Sequence, residues 1–582
     1  MCSSDLSTRR TPYDGGNGIH PDRPGVALPD ADGPTAPGSG DPADGSASAS
    51  AVEPGITMPD GSFIPLQLKS HGMSNAVLVD AKHSTTGKPL AVMGPQTGYY
   101  APQLLTEEGL MGPGIQARGV AFAGTNLFVQ LGRGVDYAWS ATSAGSDNVD
   151  TVVERLCNTD GSPATVESTG YRAGGRCRPM DSYVHSETTT PNATAPSLPT
   201  TYDFLVLRTP HGVVQERTTV DGVPVALVSQ RSTYGHEVDS VIGFSQFNDP
   251  GYVKDAASFQ KAAGHIDFTF NWFYADDRDI SYFSSGLLPI RSQRVEPDFP
   301  HWAGERYDWK GWLSARRHVH ETNPARGYFV SWNNKPAPGF SASDSNWSYG
   351  PAYRSLALEQ PLQRALRKGK VSIEDLVGVM ATGAVTDARA LTTLPMLLKV
   401  IGSDPGQREA VRLLRAWLAD GAPRVDRDRD GAYAHQQAIA LFDTWWEDGA
   451  ESVARDALRG RLGDLVSALP QGLDDHPRSG IGSAFNGIAW YGYLNKDLRS
   501  VLGAPVKGAY STGYCGRGAL RACRSTLRGS LDGAVKRLLA AQGVDDLAQV
   551  TYDKTQDDIR HTAAGLVGVR PIDWQNRPTF QQ

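Results

Sequence analysis

The spacing of apolar residues along the chain changes from a strand-like to a helix-like period. Up to about residue 290, short apolar runs such as 201–207 and 223–228 are bounded by turn residues, which is typical of strands buried between layers. From about Ser355 onwards apolar residues recur at helical spacing, most clearly in residues 373–380, 409–418 and 439–446. The pattern predicts an α+β protein with a β-rich first part and a helical C-terminal part.

The first part of the chain has a different composition. Residues 11–56 are rich in Pro, Gly, Ala, Ser and Asp and have too few apolar groups to build a core. Residues 1–73 are therefore predicted to be a disordered spacer or the remnant of a propeptide. The first ten residues lack the apolar stretch of a signal peptide.

Composition narrows the functional classes. The chain of 582 residues is 40% hydrophobic and 20% charged, which is ordinary for a globular protein. Its formal net charge of -7 argues against a nucleic-acid partner. No apolar run approaches the roughly 20 residues that a membrane-spanning helix needs, so a soluble protein is expected.

The five cysteines suggest two local pairs. Cys157 and Cys177 bracket one excursion of the chain, and Cys515 and Cys523 bracket a short Gly-rich loop, while Cys2 has no evident mate. Either pair could form a disulfide in an oxidising compartment. Spacing alone also allows five free thiols.

The first candidate for chemistry is an internal serine, Ser74. It lies in Gly-Met-Ser-Asn at residues 72–75, and Gly-Pro-Gln follows at residues 94–96. A serine hydroxyl needs a base beside it, yet Ser74 has no Gly-x-Ser-x-Gly surroundings and no evident histidine. Cleavage of the peptide bond before Ser74 would free an α-amino group with a pKa of roughly 8, which can act as that base. The same residues also suit the start of an ordinary buried strand.

Together with Trp-Asn-Asn at residues 332–334 and with Arg354, these motifs resemble the nucleophile half of penicillin acylases, which are N-terminal-nucleophile amide hydrolases. The resemblance runs from about Ser74 to the region of Arg354 and weakens to composition in the C-terminal third. It implies a four-layer αββα sandwich at about 74–355, with a helical elaboration at about 356–582. The catalytic β-chain would thus be residues 74–582.

The resemblance assigns the other catalytic residues one at a time. The main chain of Gln96 would help to hold the serine amine and the substrate, the backbone N–H of Ala144 and the side chain of Asn333 would form the oxyanion hole, and Arg354 would hold down the pKa of the amine. A backbone donor suits a small residue, and an amide donor is worth roughly 3 to 4 kcal/mol in such a hole. Locally, Gln96, Ala144 and Asn333 are also compatible with turns or tight loops, and Arg354 with a surface ion pair.

A calcium ion is the second implication of the resemblance. Asp147, Val149, Asp150 and Asp344 fall where the family places calcium ligands, with Val149 contributing its carbonyl. Two or three carboxylates and a carbonyl suit a hard cation, although a solvated acidic turn is the alternative. Penicillin acylases also use a carboxylate from their other chain, and this chain shows no counterpart.

A further acidic segment reproduces the first half of an EF-hand loop. Asp426, Asp428 and Asp430 alternate before Gly431, but the twelfth position is Gln437, where a bidentate glutamate belongs. Residues 426–431 are therefore a candidate for weak calcium binding.

The predicted function is hydrolysis of a linear N-acyl amide by a self-processed N-terminal serine. Thr97 and Leu131 stand at substrate-binding positions that are aromatic in phenylacetyl-specific acylases, so a different acyl group is expected, with an acyl-homoserine lactone as one alternative. The alternative from another class is a non-catalytic secreted binding protein on an inactive acylase scaffold. The resemblance also implies an α-chain partner from the same precursor and a periplasmic or secreted location.

Overall fold

The computed structural model describes residues 22–30, 33–36, 55–57, 63–65, 73–96, 104–124, 127–190, 198–297, 299–334, 336–337, 340, 352–446, 491–504, 506 and 513–557. Their strands are, in chain order, β1 Gly55–Thr57, β2 Phe63–Pro65, β3 Met73–Val79, β4 Leu90–Gln96, β5 Leu105–Gly112, β6 Ile115–Phe122, β7 Leu131–Arg133, β8 Ala138–Ser143, β9 Val149–Cys157, β10 Gly170–Ala173, β11 Arg176–Pro179, β12 Asp181–Thr188, β13 Thr201–Thr209, β14 Gly212–Val220, β15 Val223–Arg231, β16 Phe270–Ala275, β17 Ile280–Ser284, β18 His301–Trp302, β19 His320–Thr322 and β20 Tyr328–Ser331. Their α-helices are α1 Val241–Asn248, α2 Ala256–Ala263, α3 Ala352–Leu366, α4 Ile373–Val385, α5 Ala388–Thr392, α6 Leu394–Ile401, α7 Arg408–Ala419, α8 Gln436–Trp445, α9 Tyr491–Val501 and α10 Leu520–Gln542.

Two antiparallel sheets lie face to face. The first has the strand order β19-β17-β16-β8-β7-β6-β5, and the second has the order β20-β3-β4. Alternation along β3 explains the packing, because successive side chains of a strand point to opposite faces. Ala76 and Leu78 join the core between the sheets with Phe273, whereas Val77 and Val79 face the other way.

Helices cover the outer face of each sheet. Helices α1 and α2 pack Phe247 and Phe259 against Trp139 and Trp272 of the first sheet. Helices α3 and α4 pack against Val77, Val79 and Val330 of the second sheet. The four layers are the αββα sandwich that the sequence predicts, and this prediction is confirmed.

A third sheet stands beside the sandwich, and part of the N-terminal segment packs on it. Its strand order is β11-β10-β9-β15-β14-β13-β12, and β18 pairs with β9. Ala27 is buried and its N–H donates to Pro300 O, while Ala36 N–H donates to Arg217 O. Residues 22–30 and 33–36 of the predicted spacer thus pack on this sheet with the help of main-chain hydrogen bonds, whereas the assignment of residues 1–73 as a whole stays a prediction.

The C-terminal helices form a separate core, as the helical period predicts. It contains Leu397, Leu414, Trp417, Leu441 and Leu531 from four of these helices. Helices α4 and α7 contain the predicted stretches 373–380 and 409–418, and β13 and β15 contain the predicted strands. None of the described helices has the length and apolar content to span a membrane.

Both cysteine pairs suggested by spacing are joined. Cys157 and Cys177 form a disulfide that ties the end of β9 to β11, and Cys515 and Cys523 form another at the start of α10. Cys2 lies outside the described residues. The structure thus favours disulfides over free thiols at these four positions.

Candidate functional site

Ser74 lies near the start of β3, in the second sheet of the sandwich. Its side chain shares a strand face with Ala76 and Leu78 and therefore points towards the first sheet. The residue is 8% exposed. Strand β4 pairs with both sides of the predicted cleavage point, since Met73 is opposite Gln96 and Ser74 is opposite Pro95. The Met73–Ser74 bond is therefore held in an antiparallel ladder.

Asn333 contacts Ser74 directly. It follows the end of β20 with a φ of 59°, a left-handed conformation that asparagine tolerates better than most residues. The backbone N–H of Ser74 donates to Asn333 Oδ1 over 3.2 Å, and both residues are buried. The turn after β20 thus places an amide side chain at the nitrogen that cleavage would convert into an amine.

Arg354, in the first turn of α3, completes this contact. Its Nη2 donates to Asn333 Oδ1 over 3.2 Å, and its guanidinium lies 5.0 Å from the ring centroid of Trp332. The residue is 4% exposed. The oxygen of Asn333 therefore accepts from Ser74 and from a buried cation at once, so a positive charge lies close to the Ser74 nitrogen.

The two predicted oxyanion donors both bind protein carbonyls in this structure. Asn333 Nδ2 donates to Ser143 O over 3.0 Å. The N–H of the next residue, Ala144, donates to Thr269 O over 3.1 Å. The amide nitrogen of Asn333 has a second hydrogen, so only Ala144 N–H would have to give up its carbonyl partner to meet a substrate oxyanion.

Two of the predicted calcium ligands bind an arginine instead. Arg291 Nη2 lies 2.7 Å from an oxygen of Asp147 and of Asp150, and Arg291 Nε lies 2.7 Å from Asp150 Oδ1. Trp309 Nε1 also donates to Asp150 over 2.6 Å. Burial alone would raise the pKa of Asp150, but Arg291 and His301 hold it well below the usual range. As arranged, these carboxylates bind a guanidinium, and coordination of a metal ion by the same oxygens would require Arg291 to move.

The comparisons with known proteins give the family. A model described as Penicillin amidase matches residues 8–580. The chain belongs to the penicillin amidase family. The resemblance read from the motifs is thereby confirmed over nearly the whole chain.

Individual relatives of this penicillin amidase family member are more distant. The chain is 28% identical to penicillin G acylase from Escherichia coli over 353 residues, which are 59% of this chain and 38% of that protein. It is 27% identical to acyl-homoserine lactone acylase QuiP from Pseudomonas fluorescens, over 48% of this chain and 33% of that protein. The chain therefore matches well under half the length of these curated relatives.

The structural comparison agrees on the fold. The chain is similar to the structure of a thermostable penicillin G acylase from Alcaligenes faecalis, with a TM-score of 0.62 and 23% sequence identity. The match covers 82% of this chain and 80% of that chain. At this identity the likeness concerns the fold, which is that of the N-terminal-nucleophile hydrolases.

The remaining predicted residues of this penicillin amidase chain have varied outcomes. Leu131 is buried at the start of β7. Its neighbour Gly132 is opposite Trp139, which packs on α1, so Leu131 lies on the other face of the sheet, towards the second sheet, and its assignment to the acyl pocket stays a prediction. Thr97, Asp344 and the side chain of Gln96 lie outside the described residues, whereas Val149 begins β9 between Asp147 and Asp150.

The EF-hand-like segment folds into a compact acidic turn. Asp426, Asp428 and Asp430 each bring a carboxylate oxygen within 4.8 Å of the others. Asp426 Oδ2 also accepts from Lys554 Nζ over 2.8 Å and from Gly431 N over 3.1 Å. A lysine thus neutralises part of this charge, a contact that the sequence could not reveal because Lys554 is 128 residues away.

Proposed function

We propose that this chain is the catalytic part of an amide hydrolase that cleaves linear N-acyl amides through an acyl-enzyme on Ser74. The observation that carries the proposal is the contact of Ser74 N and Arg354 Nη2 with the same oxygen of Asn333. This arrangement suits an N-terminal nucleophile, because it fixes the nitrogen that must become the base. Membership of the penicillin amidase family supports it.

The proposed mechanism begins with cleavage of the Met73–Ser74 bond. The new amine of Ser74 would have a pKa near 8 in water, and the adjacent positive charge of Arg354 would lower it, so that the neutral amine is present at neutral pH. This amine takes the proton of the Ser74 hydroxyl while Oγ attacks the substrate carbonyl. The leaving amine then receives that proton as the carbon–nitrogen bond breaks.

The oxyanion would be stabilised by donors that the uncut chain uses otherwise. Asn333 Nδ2 would donate its second hydrogen to the tetrahedral intermediate while Oδ1 keeps its contacts, and Ala144 N–H would leave Thr269 O to donate to the same oxygen. Such a donor is worth roughly 3 to 4 kcal/mol in comparable sites. Water then attacks the acyl-serine by the same route and releases the carboxylic acid.

The names of the relatives support a class of substrate but not a particular acyl group. Penicillin G acylase and acyl-homoserine lactone acylase are both names of N-acyl amide hydrolases, so the amide bond is the shared chemistry and the acyl group is the variable. An acyl-homoserine lactone is the alternative substrate. The alternative from another class, a non-catalytic secreted binding protein, would leave the buried Ser74, Asn333 and Arg354 contact without a use.

Three further features belong to this proposal. We propose that a calcium ion binds Asp147 and Asp150 with the Val149 carbonyl when Arg291 turns away, because this oxygen set suits a hard cation. We propose an α-chain partner, because the curated relatives are much longer than their matched part. We propose export to the periplasm or medium, which the two disulfides support.

The test of the proposal is replacement of the nucleophile. Ser74→Ala is expected to abolish both the appearance of a chain that begins at Ser74 and the hydrolysis of chromogenic acyl p-nitroanilides with phenylacetyl or straight-chain acyl groups. The matched control is Ser140→Ala. Ser140 is buried on the same inter-sheet side of the sandwich, and its hydroxyl has no hydrogen-bond partner among the described residues.

Intact mass and N-terminal sequencing measure processing, and p-nitroaniline release measures hydrolysis. Ser140→Ala should resemble the unchanged protein in both assays. A Ser74→Ala protein that is still cut at this bond, or that still hydrolyses the amides, would contradict the proposed nucleophile. A folded, uncut and inactive wild-type protein would favour the binding-protein alternative.

A further inference from the structure

A chain of buried polar side chains crosses the space between the two sheets of the sandwich. The Tyr282 hydroxyl donates to Asn271 Oδ1 over 2.6 Å, and Asn271 Nδ2 donates to Thr142 Oγ1 over 3.2 Å. The Thr142 hydroxyl lies 3.0 Å from the Ser331 hydroxyl. All four residues are at most 1% exposed. They connect β17, β16 and β8 of the first sheet to β20 of the second.

This series of hydrogen-bonded side chains ends beside both halves of the proposed oxyanion hole. Thr142 is two residues before Ala144, and Ser331 is two residues before Asn333. Asn271 Nδ2 also lies 3.5 Å from Ser143 O, the carbonyl that accepts from Asn333 Nδ2. The side-chain amide of Asn271 thus contacts Thr142 in β8, the strand that leads to Ala144. It also contacts Ser143 O, the oxygen that accepts from Asn333 Nδ2.

The polar side chains of this set lie among apolar neighbours. The neighbouring side chains on the inter-sheet faces are apolar, including Phe273, Ile280 and Phe329, and a buried polar group that loses its partner costs about 1 to 3 kcal/mol. Each member is therefore held in one arrangement by the next. A core of apolar residues alone would hold the two sheets together without fixing how the end of β8 sits against the end of β20.

We propose that Asn271 is a positioning residue for catalysis, which through Thr142 and Ser331 sets the distance between the Ala144 and Asn333 donors. The inference rests on the proposed function and goes beyond it, because none of these residues was a predicted site residue. Asn271 does not touch the substrate in this role. It acts by holding the two strands that carry the donors.

The first test is Tyr282→Phe, which removes only the hydroxyl that orients Asn271. A misplacement of about 1 Å in a catalytic group costs up to about a hundredfold in rate, so kcat for an acyl p-nitroanilide is expected to fall by about tenfold. KM should change by less than about twofold, because the ground-state contacts remain. A structural role alone would lower the melting temperature without this separation of kcat from KM.

The matched control is Tyr274→Phe in the neighbouring strand. Tyr274 is also 1% exposed or less, and its hydroxyl also makes one hydrogen bond, to Asp276 Oδ2 over 2.8 Å. It lies on the opposite face of the sheet, in the core with α2. Tyr274→Phe is expected to leave kcat unchanged even if it lowers stability.

A second pair of variants tests the link between the sheets. Thr142→Val keeps the shape of the side chain and removes its hydroxyl, and it should lower kcat as Tyr282→Phe does. Thr142→Ser restores a hydroxyl at the same place and should recover most of the lost rate. Equal kcat values for the Val and Ser variants would overturn the inference while leaving the proposed function intact.

Hydrogen–deuterium exchange followed by mass spectrometry tests the link between the two strands without an activity measurement. Amides in residues 140–147 and 329–334 should exchange faster in Tyr282→Phe than in the unchanged protein or in Tyr274→Phe. If the wild-type protein proves inactive but this exchange pattern appears, the proposed function fails and the link between the strands stands. If the protein is active and Tyr282→Phe matches Tyr274→Phe in exchange and in kcat, the positioning role is refuted.

Discussion

At the scale of single residues, Asn333 holds the candidate site together. Its oxygen accepts from Ser74 and Arg354, and its nitrogen donates to Ser143 O. Since both ends of the amide are engaged, its orientation is fixed by partners that come from three different segments of the chain. Replacing the amide by a carboxylate would place a negative charge where the Ser143 carbonyl now accepts a hydrogen bond.

The charge of Arg354 leads to a prediction about pH dependence. If its guanidinium lowers the pKa of the Ser74 amine, then Arg354→Met should raise that pKa by about one unit, because a like charge nearby disfavours the protonated form. The amine acts as a base only when neutral. The acid limb of the kcat/KM profile should therefore move to higher pH in the mature enzyme, and a pH series with an acyl p-nitroanilide measures it.

Two variants control this prediction. Arg354→Lys keeps the charge but not the planar fork that binds Asn333, so the limb should stay near its original pH while the rate falls. Arg326→Met removes another half-buried arginine at the far end of β20, where Arg326 Nε donates to Tyr328 O, and should not move the limb. An unmoved limb in Arg354→Met would show that this charge does not tune the amine.

The candidate site residues could be named from the sequence, but their present partners could not. Ser74, Asn333 and Arg354 follow from ordered motifs, and the structure brings all three together. The sequence could not show that Ala144 N–H donates to Thr269 O, because a backbone partner leaves no mark on residue type. Nor could it single out Asn271, since a buried asparagine is recognised only once the strand pairing is known.

At the scale of elements, short apolar runs predicted β13 and β15, helical periods predicted α4 and α7, and the family resemblance implied the four layers. The period of two in β3 separates the faces that carry Leu78 and Val77, and the capping box of Ser372 and Asp375 marks the start of α4. The composition of the N-terminal segment did not indicate that residues 22–30 and 33–36 pack on the third sheet, because main-chain hydrogen bonds such as that from Ala27 N–H to Pro300 O take part in this packing. The amino-acid composition describes side chains alone and therefore does not reveal main-chain hydrogen bonds.

A buried network of ion pairs among the C-terminal helices leads to a prediction about stability. Arg424 is fully buried and binds Asp387 over 3.0 Å, Asp557 over 3.2 Å and also Asp443. Removing one partner from such a network leaves buried charges uncompensated and costs about 3 to 5 kcal/mol. Arg424→Met should lower the free energy of unfolding by this amount, measured by denaturant titration of tryptophan fluorescence.

The neighbouring Arg427 provides the control. It pairs with Asp420 over 3.0 Å, but its side chain is 58% exposed, and such surface pairs contribute less than about 1 kcal/mol. Arg427→Met should therefore have little effect. In sequence both arginines belong to one charged run, and only the fold distinguishes them. Similar losses for the two variants would mean that the buried network does not stabilise these helices.

The same network predicts how the free energy of unfolding changes at acid pH. Burial alone would raise the pKa of Asp387, but Arg389 and Arg424 hold it well below its ordinary value of 3.8. A carboxyl whose pKa is lowered by folding stabilises the protein above its unfolded pKa and loses this contribution as the pH falls towards the folded value. The difference in unfolding free energy between the unchanged protein and Arg424→Met should therefore shrink below about pH 4.

At the scale of the whole molecule, one group of buried carboxylates has two candidate cations, Arg291 and the proposed calcium ion. In the structure Arg291 joins the start of β9 to the loop after β17 through Asp147 and Asp150. The family resemblance instead implies calcium there. The two cannot use the same oxygens at once, so calcium must release Arg291 and compensate for the loss of its three short contacts.

Calcium dependence of stability decides between these cations. If calcium binds the folded protein alone, it adds about 2.7 kcal/mol at a concentration of 100 times its dissociation constant. The melting temperature of the protein should then rise with calcium and fall with EDTA. Asp147→Asn should remove this response, whereas Asp426→Asn in the separate acidic turn should leave it. If calcium leaves the melting temperature of the unchanged protein unaffected but raises that of Arg291→Ala, Arg291 is the permanent cation of this site, because only its removal frees the carboxylates for the metal.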